Sequence, residues 1–127
     1  MKSLWPEELF KDTKDFNPLI LLKKQAQFLA NKTNNAVEGE VKILTYSDSF
    51  MYKFFVKSII LDSSYTLFRL SHSCTNPFPM NLIDYTDTEY QATDENSLKE
   101  VIKQIFKKEG TKNVIKTYNI LSEDYND

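Results

Sequence analysis

From Val37 to Cys74 the chain reads "VEGEVKILTYSDSFMYKFFVKSIILDSSYTLFRLSHSC", an alternation of apolar and polar residues broken by Ser/Asp clusters. Side chains on a strand point alternately to opposite faces, so a period of two rich in aromatic and β-branched residues specifies strands. Short polar breaks make them antiparallel neighbours. Register matters more than strand limits here, because a slip of one residue exchanges the two faces. A tight turn at Asp48-Ser49 sets Thr45 against Tyr52, Ile43 against Phe54 and Val41 against Val56. A turn at Asp62 to Ser64 sets Tyr52 against Cys74, Phe54 against His72 and Val56 against Leu70. The two hairpins agree, and they place Phe55, Lys57, Ile59, Leu61, Tyr65, Leu67 and Arg69 together on the other face. There Glu40, Lys57 and Arg69 are expected to form a row across the sheet.

Helical signals flank this block. Asn17-Pro18 is a favourable start, Asn as N-cap and Pro where a missing N–H costs nothing. Leu19, Leu22, Ala26 and Leu29 then follow at helical spacing as far as "NKTNN". Residues 1–16, with Trp5, Leu9, Phe10 and Phe16, read as an arm or short helix that docks by its aromatics. After Cys74, "TNPFP" is an extended loop, "MNLIDY" a fourth strand and residues 89–92 a short fifth. Thr93 or Asp94 caps a helix whose Leu98, Val101, Ile102, Ile105 and Phe106 share one side, stopped near Gly110. Thr111 opens a last helix, carrying Val114, Ile115, Tyr118 and Leu121, that frays at "SEDYND". The expectation is a single α+β domain over residues 1–127. It is a two-layer sandwich with an N-terminal helix, an antiparallel sheet of four to five strands, and two C-terminal helices on the Phe54/Phe68/Leu70 face.

Composition narrows the function classes. A net charge of −2 gives no general drive toward nucleic acid, and the charged residues include a single arginine, Arg69, the preferred group for bidentate phosphate contacts, so nucleic acid is not the expected partner. Apolar runs are far shorter than the ~20 residues a membrane helix needs. The first residues, "MKSLWPEEL", lack a secretion signal, and a lone cysteine builds neither an internal disulfide nor a cysteine-rich zinc site. A cytoplasmic protein without metal or cofactor is expected.

Arg69, His72 and Cys74 lie within six positions of one another. Alternation sends Arg69 to one face and the other two to the opposite one, and strand neighbours two apart project in parallel, which does not suit a Cys–His pair. His72 is read as a core-edge residue and Cys74 as a packed thiol. The acids Asp84, Asp87, Glu89, Asp94 and Glu95 lack the glycine turn of a calcium loop and are read as solvated loop and helix cap. Lys99, Lys103 and Lys107, joined by Lys108, Lys112 and Lys116, make a basic stripe, read as the solvated back of an amphipathic helix. The outer sheet face is the best functional candidate, since an exposed apolar patch with a charged rim marks a contact surface.

Together "LLKKQAQFLANKTNNAVEGEV", "SYTLFRLSH" and "NPFPMNL" resemble a group of small uncharacterised bacterial and phage proteins. The resemblance implies no activity. The expected function is a non-enzymatic protein-binding module of immunity, anti-defence or adaptor type, possible homodimerisation included. It would meet a partner or itself through Phe55, Lys57, Ile59, Tyr65, Leu67 and Arg69. The alternative is a small-ligand binder or minor enzyme with a cleft near Tyr52, His72, Cys74 and Tyr85.

Overall fold

In the computed structural model, which describes residues 1–10 and 16–126, five antiparallel strands pair in chain order, β1(Glu38–Thr45), β2(Ser49–Ser58), β3(Ser63–Ser73), β4(Met80–Asp84) and β5(Glu89–Ala92). Three helices, α1(Pro18–Lys32), α2(Glu95–Lys107) and α3(Glu109–Asn126), pack on one side of this meander, giving an α+β fold. The core lies between them, built on Phe54, Val56, Phe68, Leu70, Met80 and Leu82 from the sheet and on Leu22, Leu98, Ile102 and Ile105 from the helices. Phe54 and Phe68 stack nearly parallel with centroids 5.3 Å apart, and Phe106 of α2 tilts over both.

The helix starts follow from their caps. The Asn17 side chain accepts hydrogen bonds from the Leu19 and Ile20 amides, and Asp94 with Ser97 forms a reciprocal capping box on α2, which holds the Asp94 carboxyl below its ordinary pKa. At the end of α1, Thr33 Oγ1 donates to the Leu29 carbonyl and accepts from the Val37 amide, while Asn34 and Asn35 take positive φ. That local knot turns the chain from helix into β1.

The register corrects the sequence reading in two ways. The first hairpin turns at Ser47-Asp48, with the Tyr46 amide bonded to the Ser49 carbonyl, one position earlier than expected. Each partner therefore moves by two: Val41 faces Phe54 and Ile43 faces Tyr52. A shift of two leaves every side chain on its expected face.

The second hairpin departs further. β2 ends at Ser58, opposite Ser63, because the buried Ser58 hydroxyl bonds Ser122 of α3 and accepts the Leu61 amide, which draws Ile59 to Leu61 into a turn rather than a strand. The pairing near the turn is then odd, Val56 with Tyr65 and Phe55 with Thr66, and becomes even again at Phe54/Phe68 through a bulge at Leu67. Leu67 has no partner in β2 and is 1% exposed, so it belongs to the core beside Phe68 and not to the outer face. Tyr65 stands on the Val56 side, edge-on to Tyr85.

Three smaller expectations also change. Trp5 and Leu9 are exposed rather than docked, whereas Phe16 stacks on Phe78; the side chain of Phe10 lies outside the described residues. Gly110 does not stop α2 but lies in the first turn of α3, and α3 continues through Asn126 where fraying was expected.

Candidate functional site

The face of the sheet away from the helices carries Glu38, Glu40 and Lys42 on β1, Lys53, Phe55 and Lys57 on β2, and Thr66, Arg69 and Ser71 on β3. Of the expected contact residues, Phe55, Lys57 and Arg69 are on this face. Ile59 is in the turn, 55% exposed, while Tyr65 and Leu67 have left the face for the reasons given above. The expected Glu40, Lys57, Arg69 row is replaced as well. Glu40 reaches Lys57 only diagonally, at 3.8 Å, and Glu38 is the residue opposite Lys57.

Directly across the sheet stand Lys42, Lys53 and Arg69, one on each of three adjacent strands. Strands lie about 4.8 Å apart, so three positive charges share a line roughly 10 Å long. None of the three makes an ion pair among the described residues. Lys42 instead lies over the Phe55 ring, 5.3 Å from its centroid. Like charges opposite one another destabilise a sheet, so this row is an unrelieved electrostatic cost. It was illegible in the sequence because it depends on a register shift of two in the first hairpin and of four in the second.

The alternative site does not assemble. His72 faces Phe50 in the register and is fully engaged: the Tyr52 hydroxyl donates to Nε2 at 3.0 Å, and Nδ1 donates to the Ser73 carbonyl at 2.9 Å. The ring stacks on Tyr52, whose phenol is pushed above its ordinary pKa by burial. Tyr85 is elsewhere: its amide bonds the Leu67 carbonyl, five residues back along β3 from His72 and so about 16 Å away. Its hydroxyl accepts the Thr111 amide at 3.0 Å, capping the start of α3. Cys74, expected to be packed, is exposed in the loop after β3. It is therefore expected to react stoichiometrically with a thiol reagent in the native protein without lowering the melting temperature; a buried, slow-reacting thiol in a thiol titration would contradict this placement.

Among the acids expected to be solvated, Asp84 is buried instead. Its carboxylate accepts from the Thr86 amide and hydroxyl, the Thr88 amide, the Tyr90 hydroxyl and the Lys108 ammonium. Burial alone raises a carboxyl pKa, but these donors, Lys108 foremost, outweigh it and hold Asp84 well below the usual carboxylate range. Lys108 is raised in turn by Asp84. This is a structural clamp, tying the β4–β5 turn to the α2–α3 junction. No sequence signal marks it, since the partners are 24 residues apart.

A groove of about 860 Å³ runs between α1 and α2, and neither it nor a hollow of about 270 Å³ beside Arg69 and Tyr85 is lined by His72 or Cys74. No helix among the described residues is long and apolar enough to cross a membrane. No family model matches this chain, and no curated protein or solved structure matches it.

Proposed function

We propose that this chain is a non-enzymatic protein-binding module that meets an acidic partner protein through the outer face of its sheet. The observation that carries this reading is the aligned row Lys42, Lys53, Arg69. A fold that holds three cations in register with no ion-paired acid among the described residues is relieved when an anionic surface docks on them, and such charge matching directs both encounter and orientation. Phe55, half-buried at the centre of the face and flanked along β2 by Lys53 and Lys57, supplies an apolar anchor. The described part of the N-terminal arm does not cover it, as Leu4 and Trp5 are 94% and 69% exposed.

A protein suits this face better than nucleic acid does. One arginine offers little bidentate phosphate recognition, and the Phe55 ring already carries Lys42 where a base would stack. A second copy suits it less, because a two-fold axis through the row sets three cations against three. A cytoplasmic accessory role of immunity, anti-defence or adaptor type accords with a module of this kind, as does the resemblance to small bacterial and phage proteins.

Affinity capture from the native cell, with hydrogen exchange on the purified complex, tests the reading. An acidic protein is expected to bind stoichiometrically, protect β2 and β3, and weaken at least about tenfold with Lys53→Glu or Phe55→Asp. Capture that is indifferent to both substitutions, or that consists of nucleic acid, overturns it.

A further inference from the structure

The groove between α1 and α2 brings together two features that the sequence shows separately. Its floor is apolar: Phe16, Ile20 and Leu21 from the α1 side, Ile102 and Phe106 from α2. Phe106 rests on Phe54 and Phe68, so the floor is continuous with the core, yet Ile20 remains 51% exposed. The rim is cationic: Lys24 on one bank, Lys99, Lys103 and Lys107 on the other, Lys112 at the end, and Glu95 the single acid among the described residues. Glu95 pairs with Lys99 at 3.1 Å, whereas Lys24, Lys103 and Lys107 make no ion pair among the described residues.

We infer that this groove seats an acidic amphipathic helix from a partner protein, its apolar side on Ile20 and Ile102 and its carboxylates along Lys103 and Lys107. Lysines four residues apart on α2 recur about every 6 Å along the axis, and acids four apart on a docked helix recur at the same interval. An anionic amphiphile with one headgroup would neutralise one lysine and leave a bank roughly 12 Å long unmatched. A polyanion such as RNA would match the bank but gain nothing from the apolar floor. Only an occupant with both properties satisfies floor and rim. The site lies on the helical layer, opposite the sheet face, and stands on its own observations; with both surfaces occupied the protein bridges two partners.

The test is a synthetic helical peptide with leucines at i, i+3, i+4 and i+7 flanked by glutamates, titrated into the full chain by fluorescence anisotropy. Controls are the same peptide with lysine for glutamate, poly-glutamate, decanoate and a single-stranded oligonucleotide. The acidic amphipathic peptide is expected to bind, weakening several-fold as added salt shortens the Debye length from about 30 Å to about 8 Å. Lys103→Glu with Lys107→Glu should cut the affinity at least about tenfold, and Ile20→Asp, which removes an apolar contact and adds a negative charge, should do the same. Lys53→Glu on the sheet face should leave it unchanged, which separates this site from the one proposed there. Absence of binding, equal binding by any control, or indifference to the paired lysine reversal overturns the inference. Because both lysines are exposed, that variant stays informative even if Ile20→Asp fails to fold.

Discussion

Asp84→Ala is expected to destabilise the protein by about 3 kcal/mol, lowering the melting temperature by about 10 °C in calorimetry. The carboxylate has no exposed side-chain surface and accepts from five donors, so its removal leaves the Tyr90 hydroxyl and the turn amides of Thr86 and Thr88 without their acceptor. Asp84→Asn keeps an acceptor oxygen and should cost less. The pH dependence has a definite sign. The folded carboxyl ionises more readily than the unfolded one, so protonation favours unfolding. Its contribution is complete above the ordinary carboxylate range, near pH 4, and is withdrawn progressively as the pH falls below that toward the depressed folded value. Urea titrations between pH 3 and pH 6 should therefore show a steeper acid loss for the natural chain than for Asp84→Asn. Parallel profiles would mean that the clamp does not operate in solution.

Gly39→Val is expected to be at least as damaging, about 3 kcal/mol or more, with soluble yield reduced. A Cβ on Gly39 would meet the Cα and Cβ of Ala26 at 2.6 Å and the Phe54 ring at 3.1 Å. A side-chain tip can swing away from such a contact; a helix backbone cannot, so α1 would have to lift off β1. Since α1 also forms one wall of the groove, a Gly39→Ala protein that still folds should lose peptide binding there in proportion to its loss of stability. Restoring space with Ala26→Gly should recover part of the stability only, because the Ala26 Cα remains at the same distance. Full recovery, read from denaturant midpoints, would place the clash on the Cβ alone.

These two sites show how the sandwich is held. Gly39 sets how closely a helix can approach the sheet, and Asp84 ties the far end of the sheet to the helical layer. Neither touches the outer face; charge reversal at Lys53, which sets an acid between Lys42 and Arg69, should weaken binding while leaving stability intact or slightly raised.

Much of the fold was legible in the residues themselves. The period-two pattern of Val37 to Cys74 assigned Phe54, Val56, Phe68 and Leu70 to the core, and Asn17-Pro18 and Asp94 marked two helix starts through caps that act within three residues. Hydrophobic alternation and capping are local, so they survive an error in pairing. The departures in the second hairpin share one cause. β2 stops at Ser58 because its hydroxyl finds Ser122, 64 residues later, and that early stop leaves β3 a residue out of step until Leu67 bulges inward.

The rows of charge were beyond local reading for the same reason. Lys42, Lys53 and Arg69 are unremarkable in order along the chain and align only once two turns are placed to the residue. The lysine stripe of α2 was visible, but not that α1 would stand beside it and leave an apolar floor between them. Where α1 and α2 begin, and that Phe54, Val56, Phe68 and Leu70 face inward, could be read from residue order because those depend on neighbours a few residues away; the burial of Leu67 and Asp84 could not. The tertiary structure alone decided which charges lie opposite each other and which helix faces share a groove, because a backbone amide or hydroxyl is claimed by whichever partner folding brings within hydrogen-bonding reach.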